Sequence, residues 1–413
     1  MVEVPAEDLL RFAEPPTLKG EHVQRSRRDF LSQSARFGLL LGAGVPLLQA
    51  CGGDEKQSSR SEPIRGGLQP EKGPLRIYNF VDYVSPEVIA DFEAKYGVKV
   101  EITTFASDTE AATKLASGAV KVDVHHSIAN YTVPDLIEGG HLLPLTRSYI
   151  DNRINVMAGF VDPWYDPGGS YTVPYTFFGT GISYRTDEID PAQIEEQGWD
   201  ALWQATDFKG RVSIIDDARE AISLAMMRRG TMTVDTADQA MIDRSVADLK
   251  ELIDLVNVRV SIDAYKDIPE GRTAIAQTWS ADMITGAINY LPDGTDASVL
   301  GFWHPPSDEY LVNNDNMAIA ANAENPVLAH LYINFLLDSA VAEKNFSWLG
   351  YLPAISQLDG DYLVAQGYVP EQLRSCVPTD QDLISGLEFH RLDEAGKAKY
   401  AAAWATFQAA LTG

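Results

Sequence analysis

Acidic and aromatic side chains cluster where predicted strands of this chain end or begin. They fall in four short segments, 78–83, 215–220, 279–282 and 313–315. In open α/β sheets, ligands bind beyond the carboxyl ends of the strands. Carboxylates pair with ammonium groups, and the faces of aromatic rings attract the same groups. The pattern therefore predicts a binding site for an organic cation.

Recognisable catalytic motifs are missing from the sequence. It contains no P-loop, no G-x-S-x-G, no H-E-x-x-H and no paired C-x-x-C. His125 and His126 are adjacent, so on a strand they face opposite sides and cannot easily share one ion. We therefore predict no metal, no cofactor and no enzymatic activity. A hydrolase that uses two dispersed carboxylates stays open as an alternative.

The hydrophobic pattern places these segments in an alternation of strands and helices. Predicted strands cover 75–80, 98–105, 120–124, 179–184, 212–215, 274–278 and 317–320. Predicted helices cover 86–96, 109–115, 220–229, 238–255, 281–290 and 326–337. Pro86 at the first helical position and Gly97 after the last are typical of helix ends. The alternation predicts a parallel α/β sheet arranged in two lobes.

The exported part of the chain is expected to be strongly acidic. The formal net charge is −26, and residues 1–50 contain six acidic and six basic side chains, so the excess lies beyond them. Nucleic acids and anionic lipids both require basic surface, which argues against both as partners. A negative field concentrates cationic ligands. An acidic surface kept for solubility explains the same charge, so the charge permits a cationic ligand without requiring one.

Two export signals occupy residues 26–53. Arg27 and Arg28 begin a twin-arginine motif, and the small and apolar residues before Cys51 form a lipobox. The uncharged run 37–48 contains four glycine or proline residues and is shorter than the roughly 20 residues of a membrane span. A transmembrane helix is therefore the less favoured alternative.

These signals predict a signal peptide over 1–50, lipidation of Cys51 and a flexible tether over 51–73, which is polar and contains glycine and serine. The lipid would anchor the protein to the membrane. We expect it at the outer face of the cytoplasmic membrane or in the periplasm.

Five motifs, taken in order and spacing, resemble those of the spermidine/putrescine-binding proteins, the extracytoplasmic receptors of polyamine ABC transporters. The motifs lie at 78–84, 216–220, 279–282, Asp315 and 350–353, and the resemblance covers nearly all of 75–413. Asp216-Asp217-Ala218-Arg219-Glu220 is close to identical to the family's D-D-A-R-E. The resemblance implies ligand contacts from Phe80, Asp82, Tyr83, Ser127, Asp217, Glu220, Trp279, Asp282, Asn313, Asp315, Tyr351 and His390.

The sequence departs from the family pattern at several of these positions. Phe80 replaces the usual Trp, and Asn313 stands where the family usually has an aromatic residue. Ser127 is an uncertain equivalent, and His390 lies near the family's C-terminal glutamine. Long amines depend on aromatic walls for their apolar carbons. We therefore hypothesise that putrescine competes better here than in an aromatic-rich receptor, and that Asn313→Trp favours spermidine. The alternative is that another ring, Tyr131 or Trp303, fills the gap and leaves the preference unaltered.

Two neighbouring carboxylates are expected to have different roles. Asp216 and Asp217 both precede a predicted helix, and carboxylates favour helix N-termini. We expect Asp216 to cap the helix and Asp217 to reach the ligand.

The resemblance also implies the fold and the partners. The fold is a two-lobed periplasmic-binding-protein fold with crossed connections. Lobe one is expected to hold 74–179 and 314–360, and lobe two 180–313 and 361–413. Closure would be a hinge motion near Gly179 and Asn314. The protein would be a monomer that captures a polyamine and docks on an ABC transporter permease. The same fold with a quaternary amine, an amino acid or iron as ligand stays open.

Overall fold

The computed structural model describes residues 60–105 and 107–412. The predicted signal peptide, Cys51 and the first part of the predicted tether lie outside the described residues. Within the described ranges, no helix is both long enough and apolar enough to cross a membrane.

The strands of the described ranges form one sheet. They are β1 Leu75–Phe80, β2 Val100–Phe105, β3 Val124–Ala129, β4 Leu142–Leu143, β5 Thr172–Arg185, β6 Val212–Ile214, β7 Arg259–Val260, β8 Ile275–Trp279, β9 Leu300–Trp303, β10 Leu311–Ala320 and β11 Leu352–Pro353. The main order is β2-β1-β3-β10-β5-β8-β6-β7. β1 pairs in parallel with β2 and β3, and β6 pairs in parallel with β7 and β8.

The six predicted helices are all present with ends within two residues, and eight further helices of the described ranges were not predicted. Together they are α1 Pro86–Tyr96, α2 Asp108–Ala116, α3 Val133–Glu138, α4 Pro191–Gln197, α5 Ala201–Gln204, α6 Ala218–Arg228, α7 Gln239–Val256, α8 Ala264–Asp267, α9 Ala281–Asn289, α10 Pro326–Leu336, α11 Ser339–Leu349, α12 Gly360–Ala365, α13 Asp380–Ser385 and α14 Glu394–Thr412. Gly97 ends α1 with a positive φ of 67°. This backbone conformation is accessible to glycine at little cost.

Two long antiparallel strands, β5 and β10, run through the middle of the sheet and make it mixed rather than parallel. They pair with each other from Leu311 to Ala318 of β10. The C-terminal half of β10 pairs with β3, and the C-terminal half of β5 pairs with β8 and β9. The chain therefore passes between the two groups of parallel strands along β5 and β10. The predicted lobe boundaries at 179/180 and 313/314 fall inside these crossing strands.

Helices pack into separate hydrophobic cores at the two ends of the crossing strands. In lobe one, Phe92 of α1 packs in a cluster that reaches Ile319 of β10. In lobe two, Leu249 of α7 and Phe407 of α14 pack in a cluster that reaches Ile182 of β5. Full burial of such side chains contributes about 1.5–3 kcal/mol each. The two ends of the crossing strands are thus fixed in different cores.

The third strand lies four residues later than the sequence predicted. The prediction was 120–124, whereas β3 spans Val124–Ala129 and every residue in it is buried. His125 and His126 are buried among aromatic rings of lobe one. The prediction was wrong because two consecutive histidines interrupt the apolar pattern of a strand that is covered on both faces.

The predicted tether is docked from residue 60 onward. The Arg60 guanidinium donates to the backbone oxygen of Ala323 at 2.7 Å. The Glu71 carboxylate accepts from the backbone amides of Val327 and Leu328, in the first turn of α10. An acidic side chain at a helix N-terminus is favourable there. The sequence prediction missed this docking because the segment has no apolar period.

Candidate functional site

The crossing strands place several predicted ligand residues on one face of the sheet. The cross-strand pairs are Asp315–Ala129, Asp315–Thr176, Asn313–Phe178 and Trp279–Thr180. Side chains of directly opposite residues project on the same side of an antiparallel pair. A row of polar and aromatic side chains therefore extends across β3, β10, β5 and β8, from lobe one into lobe two.

Irregular pairing flanks this row on both sides of β10. Against β3 the register shifts between Asn316 and Met317, and against β5 it shifts between Asp315 and Asn316. Ser127 is the extra residue on β3 and has a φ of 67°. Such bulges bend a strand and re-aim its side chains, and they are common beside binding sites.

Asp315 is buried against a tyrosine from the loop after β1. The Tyr83 hydroxyl donates to Asp315 Oδ2 at 3.0 Å and lies 2.8 Å from Thr176 Oγ1. Burial raises the pKa of the Asp315 carboxyl to about 7, although the bond from Tyr83 favours the charged form. The carboxylate is 6% exposed.

Asp282 forms a second carboxylate–aromatic pair, with the tyrosine that precedes β11. The Tyr351 hydroxyl donates to Asp282 Oδ1 at 2.9 Å. Asp282 lies in the first turn of α9 and is buried. Burial raises its pKa to about 7, while the hydrogen bonds from Tyr351 and from the Trp279 backbone act in the opposite direction.

Glu220 forms a third pair inside lobe two. The Trp279 Nε1 donates to Glu220 Oε1 at 3.0 Å, and the Thr180 hydroxyl donates to both carboxylate oxygens. Burial raises the pKa of Glu220 to about 7, and the negative charge of Asp217 adds to that rise. Three carboxylates are thus each held by an aromatic donor and poised near neutral pH.

Ring contacts connect the three pairs. Ring centroids are 6.1 Å apart for Phe80 and Tyr83, 5.1 Å for Tyr83 and Tyr351, 5.8 Å for Tyr351 and Phe178, and 6.0 Å for Phe178 and Trp279. Aromatic pairs at these separations are favourable. These rings form a row beside the three carboxylates, so charged groups and apolar ring surface alternate along the row. Such an arrangement is suited to a ligand with ammonium groups separated by methylene segments.

Asp217 is a helix cap, which corrects the predicted division of roles. Its Oδ1 accepts from the backbone amides of Arg219 and Glu220, whereas Asp216 is exposed and does not cap α6. Asp217 remains close enough to Glu220 and Tyr131 for its charge to act on both. The residue directly before the helix takes the cap position, and its second carboxylate oxygen is not used in that cap.

Two further predicted ligand residues, Ser127 and Asn313, use their side chains in hydrogen bonds that stabilise the protein. The Ser127 hydroxyl donates to Asn79 Oδ1 at 2.6 Å and is fully buried. Asn313 Oδ1 accepts from the backbone amide of Phe389 at 3.2 Å, so this side chain holds the C-terminal segment against β10. Asp82 is half-buried in the turn after β1, with a φ of 54°.

His390 lies apart from the three pairs. It is exposed and stacks on Trp164 of lobe one, with ring centroids 4.4 Å apart. In the described part of the chain, no hydrogen bond or ring contact connects its side chain with Asp282, Asp315 or Glu220. The structure therefore does not bring this predicted residue together with the others.

Around His390, the C-terminal segment meets α3 of lobe one through charged side chains. Arg391 Nη1 and Nη2 contact the Glu138 carboxylate at 2.6 and 2.7 Å, and Arg391 Nε lies 2.6 Å from Asp135 Oδ1. Lys397 also pairs with Asp135. We call these four residues the α3 ion pairs, because they join the C-terminal segment to α3.

Sequence reasoning missed two side chains that lie beside the predicted ones, and it named a third, Tyr131, only as an alternative ring for the Asn313 position. Phe178 lies opposite Asn313 and supplies a ring on that part of the wall. The Tyr131 ring lies against the Arg219 guanidinium, whose carbon is 4.8 Å from the ring centroid. Asp108 starts α2, directly after β2, which is the same strand-end position that singled out the other carboxylates.

His125 and His126 are buried, and their ring nitrogens have no hydrogen-bond partner among the described residues. Burial lowers the pKa of each to about 3, so both are neutral near pH 7. Within the described ranges, no group of three His, Cys, Asp or Glu side chains is arranged to hold a metal ion.

Comparisons with known sequences give related results. Residues 87–362 match the family described as bacterial extracellular solute-binding protein. The putrescine/cadaverine-binding protein of Pseudomonas aeruginosa is 29% identical over 281 residues, which are 67% of this chain and 78% of that protein. The spermidine/putrescine-binding periplasmic protein of Escherichia coli is 28% identical over 284 residues, which are 68% of this chain and 77% of that protein.

Solved structures show the same architecture. The spermidine/putrescine ABC transporter substrate-binding protein PotD of Streptococcus pneumoniae superposes with a TM-score of 0.64 at 25% identity, covering 82% of this chain and 99% of that one. The Tp0655 (TpPotD) lipoprotein of Treponema pallidum gives 0.67 at 22% identity, covering 81% and 98%. The predicted two-lobed fold is therefore confirmed.

Proposed function

This chain belongs to the family of bacterial extracellular solute-binding proteins, and we propose that it captures putrescine or spermidine between its two lobes and delivers it to the permease of an ABC transporter. The names of the relatives in Pseudomonas aeruginosa and Escherichia coli support this class of ligand. The observation that carries the proposal is the set of three buried carboxylates, each bonded to an aromatic side chain.

The chemistry of the site supports a polyamine. An ammonium group about 4 Å from a carboxylate gains roughly 4 kcal/mol at an effective dielectric near 20, and desolvation of both partners offsets part of this. Asp282, Asp315 and Glu220 would each accept from an ammonium group. The rings of Tyr83, Tyr351 and Phe178 would cover the methylene carbons between those groups. Fixed distances between the carboxylates would then discriminate by amine length.

Binding without turnover fits the same arrangement. The three carboxylates have protein donors that hold them in place, and a receptor has to bind its ligand reversibly. In this proposal the protein acts as a monomer and catalyses no reaction. Export follows the twin-arginine route, and a lipid on Cys51 tethers the mature protein outside the cytoplasmic membrane.

Isothermal titration of the purified protein tests the proposal. Putrescine, cadaverine and spermidine are compared with a quaternary amine, an amino acid and ferric citrate. We expect stoichiometric binding of at least one polyamine and no chemical change in the recovered ligand. If only one of the other solutes binds, the proposed ligand is wrong and that solute takes its place in the same fold. Turnover of a bound compound would favour the hydrolase alternative.

A further inference from the structure

The side chain of Asn345 on α11 holds the loop that carries Tyr83. Its Oδ1 accepts from the backbone amide of Ser85 at 2.8 Å. Its Nδ2 donates to the Tyr175 hydroxyl at 2.7 Å, and that hydroxyl donates to the backbone oxygen of Tyr83 at 2.8 Å. Both polar atoms of the amide are therefore used, and they fix the loop backbone on either side of residue 84.

These hydrogen bonds lie in the interior of the protein. Asn345, Tyr175 and Ser85 are all buried. A buried polar group that loses its partner costs free energy, so each bond favours one arrangement of the loop. The rings of Tyr83 and Tyr175 also pack edge to face, with centroids 5.5 Å apart. The loop after β1 is thus held both at its backbone and at the Tyr83 ring.

The position of the Tyr83 ring matters because its hydroxyl is the partner of a ligand-site carboxylate. It donates to Asp315 Oδ2 at 3.0 Å and lies 2.8 Å from Thr176 Oγ1. The same ring lies 5.1 Å from the Tyr351 ring. A shift of the loop backbone would therefore disturb the bond to Asp315 and the contact between the two rings together.

The helix that carries Asn345 also leads into Tyr351, the partner of Asp282. α11 ends at Leu349, and Gly350 follows with a φ of 80°. A Cβ at Gly350 would lie 2.7 Å from the backbone nitrogen of Thr285, so α11 approaches α9 closely at this point. The Thr285 hydroxyl donates to the backbone oxygen of Leu349 at 2.7 Å. One helix is therefore connected to both tyrosines that bond a carboxylate of the site.

We propose that Asn345 is a positioning residue of the ligand site, which holds the Tyr83 ring and, through it, the Asp315 carboxylate in place for an ammonium group. The inference rests on the proposed function, because it assigns this role to the binding of a polyamine. Asn345 itself makes no contact with the ligand. It acts through Ser85 and Tyr175 on the loop, so its removal weakens binding only as far as the Tyr83 hydroxyl contributes.

A double-mutant cycle of Asn345→Ala and Tyr83→Phe tests the positioning role, with putrescine and spermidine titrated by calorimetry. Each single variant is expected to weaken binding of the tighter amine by about tenfold, because residues of one hydrogen-bond network couple by this order. The double variant should lose about ten- to thirtyfold, and not the roughly hundredfold of two independent effects. A purely structural role of Asn345 would give the additive loss.

Tyr175→Phe interrupts the same connection one step further along and keeps the ring and the bond between Asn345 and Ser85. We expect it to weaken binding by about threefold or more, and to show the same coupling with Tyr83→Phe. Because this variant removes one hydroxyl and leaves the packing, it decides the question if Asn345→Ala does not fold.

Asn334→Ala is the matched control, since Asn334 Oδ1 accepts from the backbone amide of Asn152 at 2.8 Å and so holds a loop without a predicted ligand residue. We expect both amine affinities to be unchanged in this variant. Additive losses in the cycles, or folded Asn345→Ala and Tyr175→Phe proteins with wild-type affinity, would overturn the positioning role while leaving the receptor function intact. Failure of the wild-type protein to bind either amine would overturn both.

Discussion

The Tyr351 hydroxyl donates to Asp282 Oδ1 at 2.9 Å, and this bond connects the residue before β11 with the first turn of α9. The same tyrosine ring lies 5.1 Å from Tyr83, which in turn donates to Asp315. The carboxylates of Asp282 and Asp315 are therefore linked through the rings of Tyr351 and Tyr83. A ligand that pairs with Asp282 and Asp315 would contact both lobes at once.

Asp282→Asn is expected to weaken polyamine binding by at least about thirtyfold, because removing one partner of a buried charge pair costs about 2–5 kcal/mol. Asp216→Asn is the control, since Asp216 is exposed and precedes the cap residue. Isothermal titration measures both. A larger loss in Asp216→Asn than in Asp282→Asn would show that the ligand site lies elsewhere.

Polyamine affinity is expected to rise between pH 5.5 and 8 and to level off above that. Asp282, Asp315 and Glu220 have pKa values raised to about 7, so part of each is protonated in the free protein near neutral pH. A bound ammonium favours the charged form, so binding releases protons. Titrations in buffers of different ionisation enthalpy count the released protons, and no release at pH 6.5 would contradict the poised carboxylates.

The sign for stability is opposite to the sign for affinity. The unfolded carboxyls titrate near pH 4, so the folded state of these three groups holds more protons between about pH 4 and 7. Their stabilisation is full below pH 4 and is lost as the pH rises through about 7. His125 and His126, with pKa values lowered to about 3, act in the opposite direction as the pH falls below about 6.5. Affinity is therefore the cleaner readout.

Phe178→Ala is expected to weaken spermidine binding by about tenfold, because a ring face that covers about 60 Å² of methylene surface is worth about 1.5 kcal/mol. Asn313→Ala should instead lower the free energy of unfolding by about 1–3 kcal/mol, since the buried amide of Phe389 loses its acceptor. The structure thus moves the selectivity hypothesis from Asn313 to Phe178. A spermidine preference that responds to Asn313→Trp and not to Phe178→Ala would restore the first hypothesis.

Arg391→Ala is expected to speed ligand release a few-fold at low salt, because the α3 ion pairs favour contact between the C-terminal segment and α3. Partly exposed pairs contribute about 0–1 kcal/mol each and are screened by salt. Stopped-flow release in about 0.02 and 0.5 M salt should show the difference shrinking at high salt. Arg374→Ala is the control, since Arg374 pairs with Asp361 and Glu371 within lobe two. Equal effects of both variants would exclude a role in closure.

Cys51→Ala is expected to release the protein from membranes or to leave it unprocessed. The motivation is the lipobox that ends at Cys51 behind Arg27 and Arg28. Fractionation and intact mass measure the outcome. Unchanged membrane attachment together with unchanged mass would refute the lipid anchor, and normal export after replacing both arginines with lysine would count against the twin-arginine route.

The alternation of strands and helices could be predicted because apolar periodicity and helix-end residues such as Pro86 and Gly97 are local signals. The grouping of Asp282 and Glu220 could be anticipated from their positions after strands, whereas Asp315 was predicted just before a strand and lies inside β10. The position of β3 could not be predicted, because its two consecutive histidines are polar residues and interrupt the apolar pattern of a buried strand. Phe178 was missed because β5 continues well before the segment 179–184, through residues whose burial depends on distant strands.

For a shared reason, Asp108 was not singled out in the sequence and His390 was grouped with residues from which it lies apart. Each position depends on how segments far apart in the chain are brought together. The Asp108 carboxylate accepts from the backbone amide of Ala129 on β3, and His390 stacks on Trp164 apart from the carboxylates. Local sequence signals do not contain such distances.

The crossing strands also constrain how this receptor can diverge. Many binding sites lie on loops, where insertions and deletions are tolerated and new shapes arise by changes of length. Here Asp315, Asn313 and Phe178 lie within paired strands, where a shift of one residue moves every following side chain to the opposite face. Descendants of this gene can therefore acquire new ligands by single substitutions along β5 and β10, whereas insertions within either strand would remove the site together with the connection between the lobes.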